Sequence, residues 1–192
     1  NQVNETRDTI RPTVLSTTID YSTGVLTITA SETLDATPST NVNPSKIQIS
    51  ETAGDPEGLG TGVKLTGATV TQVDGVTVTV TLTELQRSLV IAMSNTPGGD
   101  GVDAVVVDFE AGALLDVGVN FNQGAPHANQ GIACAETADT VLPNAESGRL
   151  NYSTGVLEID LDETADLTPD SKVTLSSFFL ADTTGDNYVG LA

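Results

Sequence analysis

Apolar and polar residues alternate along much of this chain, and the alternation predicts β-strands. Across residues 25–31, Leu26, Ile28 and Ala30 fall on one side and Thr27, Thr29 and Ser31 on the other. That period of two belongs to a half-solvated strand. It returns with sharper contrast where Leu157, Ile159 and Leu161 alternate with Glu158, Asp160 and Asp162. Residues 14–21 predict a strand ahead of the first of these, and Ser22-Thr23-Gly24 a tight reversal between them. Ile47 and Ile49 mark a third strand, with Val173 and Leu175 as its counterparts later in the chain; Val63 and Leu65 mark a short fourth. Segments 66–73 and 76–82 predict a hairpin around Asp74-Gly75, with Val76, Val78, Val80 and Leu82 inward and Thr77, Thr79 and Thr81 outward. Thr83-Glu84-Leu85-Gln86 has the form of a capping box and predicts a helix over 84–94, with Leu85, Leu89 and Met93 at helical spacing. Residues 104–109 read as a buried strand, 116–130 as irregular and 131–136 as a last strand. About seven or eight short strands, one short helix and no βαβ alternation predict an all-β antiparallel β-sandwich.

The chain also repeats itself. Tyr21-Ser22-Thr23-Gly24-Val25-Leu26 recurs unchanged at Tyr152-Ser153-Thr154-Gly155-Val156-Leu157, an offset of 131 residues. Asp8-Thr9-Ile10-Arg11-Pro12 returns as Asp139-Thr140-Val141-Leu142-Pro143, and Glu32-Thr33-Leu34-Asp35 as Glu163-Thr164-Ala165-Asp166. The expected organisation is the end of a preceding repeat or linker at 1–7, a complete module at 8–138 and a partial second module at 139–192, about 1.4 copies of one unit. In this reading the second copy follows the first as far as Gly190-Leu191 against Gly58-Leu59, and lacks the hairpin, the helix and the closing strands. Half a sandwich leaves an apolar face and unpaired edges, so it needs partner strands or a continuation of the chain. Phe178 and Phe179, placed in an insertion of the second copy, are the expected site of an intermolecular contact.

Charge narrows the partners. The 192 residues carry 26 acidic and seven basic side chains, a net charge of −19. Such a surface repels nucleic-acid backbones and anionic membranes, and no apolar run reaches the length of a membrane span. The charge serves solubility or divalent-cation binding. Aromatic residues make up 4% of the chain, which disfavours sugar stacking. One cysteine, Cys134, excludes an intrachain disulfide and reads as a small buried strand residue. With no signal-peptide pattern at Asn1, the chain reads as a mature form or a slice of something longer.

The run 8–14, then 21–28, then Ser31-Glu32-Thr33-Leu34-Asp35, resembles bacterial and archaeal immunoglobulin-like tandem repeats. Segment 65–87 is similar to that family's hairpin and helix. Ala111-Gly112-Ala113-Leu114-Leu115-Asp116 with Asn120 is similar to its closing segment, although Val119 intervenes between Gly118 and Asn120. The resemblance implies an immunoglobulin-like sandwich in a large secreted or surface-attached protein: a stalk, fibre or matrix filament, extracellular and non-enzymatic, assembling with itself or with neighbouring repeats. The alternatives are an adhesin that binds glycan or a cell surface through its loops, and an accessory domain of a secreted enzyme.

No catalytic constellation stands out. His127 sits alone in a Gly- and Asn-containing loop without a nucleophile beside it. The carboxylates carry more. In a sandwich of this strand order, the loop after the second strand returns toward the leading linker. Asp8, Glu32 and Asp35 are therefore expected to converge, and Asp139, Glu163 and Asp166 to do so in the second copy, with the turn 20–24 facing that junction. Oxygen-rich sets of this kind suit Ca²⁺; the competing reading is that Glu32 and Asp35 cap or turn their loop. Asp100 and Asp103 lie in Gly98-Gly99-Asp100-Gly101-Val102-Asp103, which fits a calcium-binding nonapeptide; a β-roll needs stacked copies and here there is one, so the favoured reading is a glycine turn. Lys46 and Lys172, each after a serine, begin strands and are expected to be exposed rather than cross-linked to an Asn.

Overall fold

Strand β1 (Val14–Asp20) and strand β2 (Val25–Leu34) form where the alternation is strongest. They pair antiparallel from Asp20↔Val25 to Val14↔Ala30, with an irregularity between Val14 and Ser16. Their turn is closed locally: the Asp20 carboxylate accepts from the Ser22 N–H at 2.9 Å, and Gly24 takes φ +66°, a conformation that favours glycine. Leu26, Ile28 and Ala30 are buried, as the pattern requires. In this computed structural model the described residues are 3–52, 62–124, 129–167, 169–182, 184–185 and 187–191. They fall into two compact units, Asn1–Leu142 and Pro143–Ala192.

The first unit continues with β3 (Ile47–Ser50), β4 (Val63–Lys64), β5 (Thr69–Val70), β6 (Gly75–Thr81), helix α1 (Glu84–Met93), β7 (Val106–Phe109) and β8 (Ile132–Thr137). The eight strands hydrogen-bond in the order β4-β3-β7-β8-β1-β2-β6-β5. The fold is all-β, a single curled sheet around one core that includes Tyr21, Leu26, Ile28, Ile47, Ile49 and Phe109. The sheet is mixed, not wholly antiparallel. β8 first pairs antiparallel with β7, at Val107↔Ile132 and Val106↔Ala133, and then runs parallel to β1 from Thr17↔Cys134 to Asp20↔Thr137. A parallel neighbour needs a long connection, and here the whole run from β2 to β7 lies between β1 and β8 in the chain.

Two elements depart from expectation. The hairpin does not turn tightly at Asp74-Gly75. β5 has two residues, Val76 is 51% exposed, and the Asp74 carboxylate instead accepts from the Ala36 N–H at 2.9 Å. Val78, Val80 and Leu82 do face the core. Helix α1 begins with the expected capping box between Thr83 and Gln86, but its inward face is not the apolar one. Leu85 is 68% exposed and Leu89 is also exposed, whereas Gln86, Arg87 and Val90 are buried. Burial is tolerated because the polar ends are satisfied: Gln86 Nε2 donates to the carbonyls of Lys64 (3.0 Å) and Thr66 (2.9 Å).

The second unit contains β9 (Ala145–Asn151) paired with β10 (Val156–Leu161), and β11 (Phe179–Ala181) paired with β12 (Tyr188–Gly190). The starts of β9 and β10 lie 131 residues after those of β1 and β2, and the 3₁₀ turns Asp170–Lys172 and Leu175–Ser177 lie 131 residues after Ser39–Asn41 and Pro44–Lys46. Individual hydrogen bonds recur at the same offset. The Asn151 side chain accepts from Ser153 N–H as Asp20 does from Ser22. Asp162 accepts from Asn144 N–H as Ser31 does from Thr13. Asp139 accepts from Val141 N–H as Asp8 does from Ile10.

This spacing corrects the sequence alignment. Ile47 and Ile49 correspond to Phe178 and Leu180, not to Val173 and Leu175. Phe178 and Phe179 therefore occupy ordinary positions, opening the strand equivalent to β3, and lie in no insertion. Lys46 corresponds to Ser177, and Lys172 to Asn41. β12 pairs with β11 as β4 pairs with β3, Phe179↔Gly190 matching Gln48↔Lys64. The expected match of Gly190-Leu191 to Gly58-Leu59 involves residues outside those described; the strand pairing instead sets Gly190 against Lys64.

Candidate functional site

The leading segment and the loop after β7 meet at the end of β2. Glu32 shares the strand parity of Ala30 and Leu34, so its side chain is carried inward where the sheet ends. The Leu34↔Asp116 bridge and the Asp35 N–H bond to the Leu115 carbonyl (2.8 Å) bring Asp116 alongside. Gly118 packs directly on Asp8; a Cβ there would come within 2.7 Å of the Asp8 Cβ. Carboxylate oxygens of Asp8, Glu32 and Asp116 consequently lie within 4.8 Å of one another. Asp116 is fully buried and is held by Asn120, whose backbone N–H and side-chain amide donate to it at 2.6 and 3.0 Å. Glu32 Oε1 is buried without a hydrogen-bond partner. Burial first, then Asp116 and Asp8, push the Glu32 carboxyl above its usual range. A charge in that setting is relieved by a proton or by a cation. The cluster offers three of the six to eight oxygens that Ca²⁺ takes.

Asp8 and Glu32 thus converge, and their third neighbour is Asp116. Asp35 turns its own loop, its carboxylate accepting from Thr37 N–H at 3.0 Å. Asp166 pairs with Lys172. Glu163 is half-buried in the second unit. Asp139 belongs to the first unit and bonds Arg87. Asp100 and Asp103 are exposed in a segment that closes the C-terminus of α1: the N–H groups of Asp100 and Gly101 donate to the carbonyls of Ala92 and Ser94. Gly101 lies so near the helix end that a Cβ would sit 2.0 Å from the Met93 carbonyl oxygen. His127 lies outside the described residues. Lys46, expected to be exposed, is half-buried, and its ammonium donates to the Ala111 carbonyl (2.8 Å). Cys134 is buried, and burial pushes its thiol up to about 11.

The other end of the first unit is a latch. Arg87 is buried behind the turn 21–24. Its guanidinium donates to Glu84 through Nε (2.8 Å) and Nη2 (3.0 Å), and through Nη1 to the Tyr21 carbonyl (2.9 Å) and to Asp139 (2.6 Å). The Thr140 N–H donates to Ser22 Oγ at 3.0 Å, and the Tyr21 N–H to the Thr137 carbonyl. The planar fork of Arg suits this task, with five donors in fixed geometry for two carboxylates and a carbonyl. Tyr21 itself is fully buried and its hydroxyl donates to Glu136. Burial and then Glu136 raise the phenol far above its ordinary range.

No known protein-family model, curated protein or solved structure matches the chain. Its own geometry is therefore what bears on function. The shallow groove beside β5, lined by Ser39, Val42, Asn43, Pro44, Val70 and Gln72, carries no titratable group. No described helix is long and apolar enough to cross a membrane.

Sequence reasoning gave no role to Arg87, Asn122 or Asn129, and met Asp116 and Asn120 only as part of the closing segment. Asn122 accepts from Leu114 N–H (2.9 Å) and donates to the Glu110 carbonyl (3.0 Å). Asn129 accepts from Val14 N–H (2.6 Å) and donates to the Gln123 carbonyl (3.0 Å). A signal was present: a long irregular stretch holding Asn120, Asn122 and Asn129 needs side-chain amides to satisfy backbone groups that no ladder reaches.

Proposed function

We propose that the chain is a section of an extracellular structural protein in which immunoglobulin-like β-modules follow one another to form a stalk, fibre or filament, without enzymatic activity. The observation that carries this reading is the single 131-residue offset, which relates the hexapeptide, strand starts, 3₁₀ turns and three side-chain hydrogen bonds. A string of equivalent units builds length and multivalency rather than one active centre. The latch supports it further. Arg87 and Ser22 hold Asp139 and Thr140 at the C-terminal end of the first unit, and Asp139 is the counterpart of Asp8, which sits in the acidic cluster of that unit. The same linker aspartate position is thus anchored in both places where it occurs within the first unit. The acidic surface keeps such a polymer soluble. Negative-stain imaging of native material tests the reading: beaded rods or regular filaments support it, and isolated compact particles contradict it.

Calcium at Asp8, Glu32 and Asp116 is a second reading, favoured by the buried, unpartnered Glu32 Oε1. It requires that Ca²⁺ raise the melting temperature of the wild type and leave Glu32→Gln unmoved. An unchanged wild type in millimolar Ca²⁺ would end it.

A further inference from the structure

We infer that the second unit is a receptor for β-strands of the kind that close the first: one Val/Thr strand like β6, one buried strand like β7 and one parallel strand like β8. This inference rests on the modular reading above and names the partner of the second unit's open face.

Position for position, the second unit carries the inward side chains of the first without their cover. Tyr21, Leu26, Ile28, Leu34, Ala36, Val42, Ile47, Ile49 and Val63 are buried. Their counterparts 131 residues on, taken as far as β11, are not: Tyr152, Ile159 and Leu167 are exposed, and Leu157, Ala165, Val173, Phe178 and Leu180 only half-buried. The strand pairing sets Val189 against Val63, and their exposures are 67% and 9%.

The first unit shows what covers these positions. β2 gives its free edge to β6, antiparallel, with Val80 opposite Leu26 and Val78 opposite Ile28. β1 gives its edge to β8, parallel, from Thr17↔Cys134 to Asp20↔Thr137. β3 gives its edge to β7, from Ile47↔Phe109 to Ser50↔Val106. Among the described residues of the second unit, β9 and β10 pair only with each other and β11 only with β12. Three backbone edges of these described strands are therefore open at corresponding registers beside an open apolar face. An added strand gains main-chain hydrogen bonds from such an edge and specificity from alternate side-chain positions. The required occupant is a chain with valines at the spacing of Val78 and Val80, an apolar segment like that around Val105, Val107 and Phe109, and a small inward residue at the place of Cys134, all of which are buried in the first unit.

The test is made on the whole chain, extended after Leu191 by a second copy of residues 66–138. The extension places those strands in the connectivity they have in the first unit, because Gly190 pairs where Lys64 does. Nitration of Tyr152 by tetranitromethane, read by peptide mass spectrometry, should fall at least about tenfold as that phenol becomes buried. Residues 156–161 should become resistant to proteolysis. Replacing both valines equivalent to Val78 and Val80 by Asp in the appended copy should restore full labelling. Unchanged nitration of Tyr152 while Tyr21 stays protected would overturn the inference. So would protection that arises in the unextended chain as concentration rises while residues 75–81 stay protected in the first unit, since a second open face, and not strands of that kind, would then be the occupant. The modular reading is judged separately, by imaging, and survives either failure.

Discussion

Two stretches of this molecule have the same six residues and the same turn, and they differ in almost everything beyond it. Tyr21 begins one and is fully buried; Tyr152 begins the other and is 91% exposed. In both, a side-chain oxygen at the preceding position accepts from the serine N–H, and the glycine takes a positive φ, +66° at Gly24 and +72° at Gly155. The shape of the hairpin is thus written in local sequence. Burial comes from distant chain: the carboxylate of Glu136, the guanidinium of Arg87 and the strands β6 and β8. A duplicated motif guarantees a duplicated turn, not a duplicated core.

Substitution at the paired tyrosines is the strongest way to break the comparison. Tyr21→Ala should cost about 4 kcal/mol of first-unit stability, the usual scale for emptying a buried aromatic site. Tyr152→Ala should change stability by less than about 0.5 kcal/mol, as at an exposed surface position. Urea denaturation measures both, and equal effects would dissolve the distinction. Next is Arg87→Met, which removes the partner of the mostly buried Asp139 carboxylate, while the exposed Glu84 can turn to water. It should destabilise the first unit by about 2 kcal/mol, the scale of charge-assisted hydrogen bonds lost at a largely buried site, and residues 139–141 should become sensitive to protease.

A smaller change sharpens the picture at the opposite end. Val119 holds φ +66° beside the acidic cluster, a conformation that costs an L-residue about 1–2 kcal/mol. Val119→Gly should therefore raise stability by about 1 kcal/mol, less the added chain entropy of glycine; a loss would mean that Val119 packs usefully there.

The smallest expected effect is electrostatic. The Glu32 carboxyl titrates above its ordinary value of 4.5, so the folded unit binds that proton more tightly than the unfolded chain. Its stabilising contribution is complete below about pH 4.5 and is lost as pH rises through the folded-state pKa. Glu32→Gln should accordingly melt at a higher temperature than wild type at pH 7, the difference shrinking toward pH 4. A constant difference across that range would mean that ionisation of Glu32 in its buried place beside Asp116 and Asp8 is not its origin.

The strands were legible because their alternation is strong: Leu26, Ile28, Val78 and Val80 are buried as the period of two demands. So was the helix start, since Thr83 and Gln86 cap it through atoms three residues apart. The helix face was not legible. Gln86 and Arg87 are inside because of carbonyls and carboxylates from distant segments, whereas Leu85 is left outside. The parallel β1–β8 pair was hidden for the same reason, since direction is set by a crossover and not by any pattern within the strands. At the acidic end, topology alone brought Asp8 to Glu32. Asp116 joined them through a bridge to Leu34, a contact between residues 82 apart that periodicity does not register.

Amide hydrogen exchange on the full chain tests the central claim most directly, namely that the two units share a local fold but only the first is closed over a core. The account predicts that Leu26 and Ile28 exchange only on global unfolding of the first unit, and that Leu157 and Ile159 exchange orders of magnitude faster despite the same register with the preceding strand. Equal protection at the two hairpins would contradict it.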